Sequence, residues 1–98
     1  MTATFVRQVR GNGYAALYKL DGETQYDWDD ERDIAPTTQY VVVSAIPAFG
    51  ALGGEETFIF PADQDGNILS FLELPGSFQG GQDHARALRG LGYEIEAG

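Results

Sequence analysis

Tyr40-Val41-Val42-Val43-Ser44-Ala45-Ile46 is the stretch of sequence that decides the fold. It is rich in β-branched residues and apolar on both faces, a composition typical of a strand in the middle of a sheet. Pro47 follows it and should end it, because proline has no backbone N–H to donate. The stretch therefore predicts a central strand around which the rest of the chain is arranged.

A hairpin is predicted before this central strand. Phe5–Val9 forms its first strand, and the residues from Tyr14 to Leu20 alternate with the period of two that marks a strand with one heavier face. Glycine and asparagine at 11–13 supply the turn, since both accept positive φ. We expect Asp21-Gly22 to close the second strand and Glu23–Pro36 to form a long acidic loop.

Further strands and one helix are predicted after the central strand. The helix begins after Asp83, a good N-cap, and ends at Gly90 or Gly92. The strands are Thr57–Phe60 (ended by Pro61), Ile68–Leu74 and a short closing segment at Tyr93–Glu96, with a tight turn at Asp63–Asn67. The chain is thus predicted to be a single acidic α+β domain over residues 1–98. Its architecture is a small antiparallel sheet of about five to six short strands with one C-terminal helix packed on it.

Composition narrows the classes of function. The chain has 98 residues, 43% of them hydrophobic, no cysteine and a net charge of −9. Cysteine-based chemistry is therefore excluded, and the charge argues against direct binding of nucleic acid or anionic membranes. It favours a protein partner with a basic surface. No apolar run reaches membrane-spanning length and Met1–Arg10 lacks the apolar core of a signal peptide, so we expect a cytoplasmic protein.

The charge is unevenly placed, and this gives the candidate binding surface. Met1–Leu20 carries three basic residues and no acid, whereas Asp21–Asp33 carries seven acids and one arginine. Two aromatic residues lie within the acidic run, and aromatic residues beside charge are typical of interface anchors. The alternative is that both rings belong to the core. The candidate partner-binding residues are Tyr26, Asp27, Trp28, Asp29, Asp30 and Glu31.

The stretches of sequence that resemble catalytic or metal-binding motifs are incomplete. Asp63, Asp65 and Asn67 have the spacing of a calcium loop, but Ile68 stands where that loop needs glycine and Leu74 where it needs glutamate. A turn explains the same residues. The only histidine, His84, is expected to face solvent in the first turn of the helix. No catalytic residue, metal site or cofactor is predicted.

From Tyr40 onward the chain resembles a group of short proteins encoded by actinobacterial phages, of the mycobacteriophage type. The resemblance implies a setting, the cytoplasm of an infected bacterium, and an accessory role, but it implies no activity and no functional residues. The segments that carry it are Tyr40–Ala45, Glu56–Asp63, Leu74–Ser77 and Gly80–Leu88.

These observations lead to one main functional hypothesis and two alternatives. The main hypothesis is a non-enzymatic protein-interaction module, a phage accessory protein that binds a host or phage protein through an acidic surface. The first alternative is an acidic mimic of nucleic acid that inhibits a DNA-binding protein, which requires carboxylates spread over a broad face. The second alternative is a virion or assembly component.

Overall fold

A six-stranded curled sheet and one short helix make up the described part of the protein. The computed structural model describes residues 1–10, 13–26, 36–47, 54–70 and 73–96. The elements in chain order are β1 (Thr2–Val9), β2 (Tyr14–Gln25), β3 (Thr37–Ile46), β4 (Glu56–Ala62), β5 (Phe78–Gln79), α1 (His84–Leu91) and β6 (Glu94–Ile95). The predicted α+β class is therefore confirmed, with far more sheet than helix.

The strand order is β5-β4-β3-β2-β1-β6, and the sheet is mixed. Neighbouring strands from β1 to β5 are antiparallel, but β6 runs parallel to β1, with Thr2 beside Glu94 and Ala3 beside Ile95. The prediction of an antiparallel sheet is wrong at this edge. The reason is α1, which contacts β3, β4 and β6 and returns the chain to the β1 edge in the direction of β1. The closing strand predicted after the helix is present as β6, so the helix is not the last element.

The central strand is confirmed as β3. It pairs with β2 on one side and with β4 on the other, and its five residues from Val41 to Ala45 are all buried. Such burial on both faces favours small and apolar side chains, which this stretch supplies at every position except the polar Ser44.

Two groups of buried side chains lie on the two faces of the sheet. The first includes Ala87 and Leu88 of α1 together with Tyr18, Val43 and Ile59 from the strands. The second contains Ala15, Leu17, Val42 and Ala62, with Ile68 packed against it. Alternate residues of β2 contribute to opposite groups, as strand geometry requires.

Three strand predictions differ from the structure in their boundaries. β2 continues beyond Asp21-Gly22 to Gln25, across a register shift between Lys19 and Thr24. β4 contains Pro61, whose carbonyl accepts the N–H of Leu69. The missing N–H of Pro61 therefore faces away from β3 and costs no bond with it. In place of the predicted strand from Ile68 to Leu74, the described residues of this segment make only an isolated bridge, between Ile68 and Ala62.

The ends of α1 follow their predicted capping residues. The Asp83 side chain accepts the N–H of Arg86 at 3.1 Å, and Gly92, in the left-handed region, ends the helix. Buried Thr57 ties the entry of the helix to β4: its hydroxyl donates to the carbonyl of Gly81 at 2.8 Å and accepts the N–H of Asp83 at 3.1 Å. Within the described ranges, no helix has the length and apolarity needed to cross a membrane.

Candidate functional site

Only one of the six predicted partner-binding residues lies in the described part of the chain. Tyr26 follows the end of β2, and its backbone N–H donates to the carbonyl of Pro36 at 2.9 Å. Its ring is partly buried and packs against the first group of core residues. Asp27, Trp28, Asp29, Asp30 and Glu31 lie outside the described residues, so their role as a binding surface stays a prediction.

A cluster of four rings forms beside the N-terminal end of α1. Tyr14 and Tyr18 point to the same face of the sheet because they are four positions apart in β2, and Phe5 of β1 pairs directly with Tyr18. His84, the first residue of α1, completes the cluster. We call these four residues the aromatic patch.

The rings of the aromatic patch touch one another in tilted and edge-to-face arrangements. The Tyr14 and His84 ring centroids are 4.7 Å apart, and Tyr18 lies 5.8 Å from His84 and 5.9 Å from Phe5. Edge-to-face contacts at these separations are the favoured geometry for aromatic pairs. The patch is therefore one packed unit.

Two hydrogen bonds fix the position and the tautomer of His84. Its Nε2 lies 3.1 Å from the carbonyl oxygen of Tyr14, and its Nδ1 lies 3.0 Å from the hydroxyl of Tyr18. A carbonyl can only accept, so Nε2 carries the proton and donates to Tyr14. Nδ1 then accepts the Tyr18 hydroxyl proton. The expectation that His84 faces solvent is wrong, because both ring nitrogens are engaged by β2.

Both titratable groups of this pair are neutral at pH 7. Burial lowers the pKa of His84 below its ordinary value, an effect that the hydrogen bond to the Tyr14 carbonyl and the charge of Asp83 oppose. Burial also raises the pKa of Tyr18 to about 12, and neighbouring Tyr14 adds to this rise. The aromatic patch is thus an uncharged surface on an acidic protein.

Two members of the aromatic patch are about half exposed to solvent. Phe5 is 48% exposed and Tyr14 is 47% exposed, whereas Tyr18 is buried. The exposed rings are held from behind by Tyr18 and His84, so they lose little conformational freedom when a partner covers them. Chemically, such a surface can bind apolar and aromatic side chains or the stem and charge of a cationic residue.

The predicted turn at Asp63–Asn67 is confirmed, and the carboxylate of Asp63 accepts hydrogen bonds from within the turn. Asp63 Oδ1 accepts the N–H groups of Asp65 and Asn67, each at 2.9 Å, while Oδ2 accepts the Asn67 side-chain amide at 3.1 Å. These donors lower the pKa of Asp63. The aspartates and asparagine that resemble a calcium loop therefore serve to shape a turn.

The acidic residues of the described part are distributed over the molecule. They occur in β2, around the start of β4, in the turn after β4, between that turn and β5, at the cap of α1, and in and after β6. Their members are Asp21, Glu23, Glu55, Glu56, Asp63, Asp65, Glu73, Asp83, Glu94 and Glu96. Most of them are exposed, so negative charge is not confined to one loop.

Sequence reasoning missed the aromatic patch, although it identified parts of it. The alternation in β2 correctly placed Tyr14 and Tyr18 on one heavy face of the strand. The missing information was the position of α1, which brings His84 to that face from 66 residues away along the chain.

Compared with known proteins, the chain matches no family model, no curated protein and no solved structure.

Proposed function

We propose that this protein is a non-enzymatic protein-interaction module that uses the aromatic patch as its anchor and binds a partner with a basic surface. The observation that carries the proposal is the half-exposure of Phe5 and Tyr14 on a backing of Tyr18 and His84. Tyrosine and other aromatic residues in fixed positions supply much of the binding energy at protein interfaces.

The charge of the chain supports a basic partner. The net charge is −9, and the aromatic patch itself is uncharged. The negative charge of the whole molecule attracts a positively charged protein over long range, while the rings provide the close contact. The acidic run with Tyr26, Asp27, Trp28, Asp29, Asp30 and Glu31 is proposed as a second contact for the same partner. The resemblance to phage proteins favours an accessory role in an infected bacterial cytoplasm.

Affinity capture with patch variants tests the proposal. The tagged protein, Phe5→Ala/Tyr14→Ala and a matched control, Leu69→Ala, are compared for capture of partners from bacterial lysate. Leu69 is an apolar residue of similar exposure outside the patch. We expect the double variant to lose the partner that the wild type and Leu69→Ala retain. Equal capture by all three proteins would exclude the aromatic patch as the anchor.

The acidic run is tested separately by charge reversal of Asp27, Asp29, Asp30 and Glu31 to lysine. We expect weaker capture and a smaller dependence of capture on salt, because fewer charges then attract the partner. Unchanged capture at low salt would remove this run from the proposed surface while leaving the aromatic patch untouched.

A mimic of nucleic acid is the second candidate, and the distribution of carboxylates over several elements favours it. Such a protein competes with duplex DNA for a DNA-binding protein, because its acids replace phosphates. The test is a competition assay in which the protein displaces labelled DNA from the captured partner. Displacement that survives Phe5→Ala/Tyr14→Ala would favour mimicry over the aromatic anchor.

A further inference from the structure

A second surface, at the outer edge of β1, has features that the proposed function does not use. β6 pairs with β1 only at Thr2 and Ala3, so among the described residues the rest of β1 has a strand neighbour on one side only. Val6, Arg7 and Gln8 are all exposed. An open strand edge presents unpaired backbone donors and acceptors to which another extended chain can add. We call the segment Val6–Arg10 the arginine edge.

Two arginines of this segment carry charge that no described carboxylate neutralises. The Arg7 guanidinium donates to the backbone carbonyl of Asp65, a neutral acceptor. Arg10 makes no hydrogen bond or ion pair with any described residue. Both line a depression of about 380 Å³ beside the turn after β4, together with Gly66 and Asn67. Two arginines that line one depression without a described ion pair offer guanidinium donors to an external carboxylate.

The turn beside the arginine edge holds Arg7 in place. Gly66 has a φ of +87°, and a Cβ atom at this position would lie 3.3 Å from Arg7 Nη2 and 3.1 Å from Val9 Cγ1. The carboxylate of Asp63 is taken up by the N–H groups of its own turn, so it does not compete for the guanidinium. Among the residues that the structure describes, Asp65 is the one acid that lines the depression, against two arginines.

The arginine edge and the aromatic patch face opposite sides of the sheet. Arg7 pairs with Leu17, which belongs to the second group of core residues, whereas Phe5 pairs with Tyr18 of the patch across the bulge at Val6. Paired residues of neighbouring strands share a face. A strand added to this edge therefore has one set of alternate side chains on the face of Arg7 and the other set on the face of the aromatic patch.

We infer that the arginine edge binds an extended segment of a partner protein in which acidic and apolar residues alternate. The segment adds to the open edge of β1 through backbone hydrogen bonds, and its acidic side chains reach Arg7 and Arg10. Alternation follows from strand geometry, because every second side chain of an added strand lies on the arginine side. Arginine and carboxylate form charge-assisted, two-pronged hydrogen bonds, which select for this chemistry.

Fluorescence anisotropy with synthetic peptides tests this inference. The probe is a labelled ten-residue peptide of alternating glutamate and valine, compared with a lysine and valine peptide and with oligo-glutamate of equal charge. We expect binding of the glutamate and valine peptide only, and a loss of affinity of about tenfold or more in Arg7→Ala/Arg10→Ala. The charge-matched control is Arg86→Ala/Arg89→Ala, which removes two exposed arginines of α1 and should leave peptide affinity unchanged.

Three outcomes would overturn the inference. One is equal binding of oligo-glutamate, which would show simple charge attraction without strand addition. Another is unchanged affinity in Arg7→Ala/Arg10→Ala, provided that thermal unfolding shows the variant to be folded. The third is displacement of the peptide by millimolar inorganic phosphate, which would indicate a site for small anions. Amide chemical shifts provide the second readout: peptide binding should move the resonances of Val6–Arg10 and leave those of α1 in place.

Discussion

At the scale of single residues, the hydrogen bond from Tyr18 to His84 depends on the protonation state of the imidazole. Nδ1 accepts this bond only when it carries no proton, and Nε2 already donates to the Tyr14 carbonyl. A proton on Nδ1 would reverse the direction of this hydrogen bond, since the Tyr18 oxygen would then accept it, and would place a positive charge in a half-buried site. Tyr14, Tyr18 and Asp83 are the titratable groups around this ring.

We predict that the protein loses stability as the pH falls below 6.5, the ordinary pKa of histidine. The folded state lowers the pKa of His84, so between the folded and unfolded values the unfolded chain binds more protons, and the free energy of unfolding rises with pH. This contribution is complete above pH 6.5 and decreases through the window down to the folded pKa. Urea denaturation from pH 7.5 to pH 5 measures it. His84→Gln, which does not titrate, should flatten the profile in this window, and an identical slope in both proteins would contradict the assignment.

Substitution of Gly76 and of Gly80 by alanine can be compared to test how closely the backbone at Gly76 packs against α1. Both have positive φ, +110° and +93°, but a Cβ on Gly76 would collide with the carbonyl of Ala87, whereas nothing lies within 4 Å of one on Gly80. We expect Gly80→Ala to cost about 1 kcal/mol from backbone strain alone. Gly76→Ala should cost about 3 kcal/mol or more, since it also pushes the helix away. Chemical denaturation gives both values, and equal losses would show that the helix does not need this close approach.

At the scale of elements, α1 is short and depends on its ends. An eight-residue helix is marginal by itself, so its cap and its packing through Ala87 and Leu88 stabilise it together. The first residue of α1 is His84, which belongs to the aromatic patch. Loss of the helix would therefore also disrupt the candidate site.

Asp83→Ala should destabilise the protein by about 1 kcal/mol, because the N–H of Arg86 loses its side-chain acceptor. Asp83→Asn should cost much less, since asparagine caps helices nearly as well. Thermal unfolding of the two variants distinguishes loss of the cap from loss of charge. If asparagine were as harmful as alanine, the charge beside His84 would be the important property of Asp83.

Several elements were predictable because their signals are local. Each of these elements is determined by residues close together in sequence. Examples are the β-branched run of β3, the turn residues after β4 and the Asp83 cap of α1. Others depend on distant parts of the chain. β2 extends to Gln25 because Thr37 and Thr38 are available as partners beyond a register shift, and no feature near Asp21-Gly22 indicates this. The direction of β6 depends on where α1 ends relative to β1.

At the scale of the whole molecule, the candidate site illustrates the same limit. Composition and alternation predicted an acidic exterior and a heavy face on β2, but the aromatic patch combines β1, β2 and the start of α1. Its hydrogen bonds join residues 66 and 70 positions apart. The residue pattern within one segment carries no information on contacts between segments so far apart. The interface predicted at Tyr26–Glu31 stays a prediction.

The net charge of −9 predicts a protein that becomes more stable in moderate salt. Carboxylates spread over β2, β4 and β6 repel one another, and salt reduces this repulsion over distances beyond about 8–10 Å. The midpoint of urea denaturation at pH 7 should therefore rise between 20 and 200 mM sodium chloride. A falling midpoint would mean that attractive ion pairs dominate the surface. Potassium chloride at the same ionic strength should act alike, which separates screening from specific binding of sodium.

The pairing of Thr2 with Glu94 has a consequence for how the chain folds during translation. The ribosome makes β1 first, but its parallel neighbour emerges more than ninety residues later. Until then the whole outer side of the first hairpin is bare in the nascent chain, and it can meet other polypeptides, including chaperones. Completion of this sheet is therefore a late event. Ribosome-bound chains truncated before Glu94 should be more sensitive to protease than chains of the full 98 residues, when both are tethered through a linker that spans the exit tunnel.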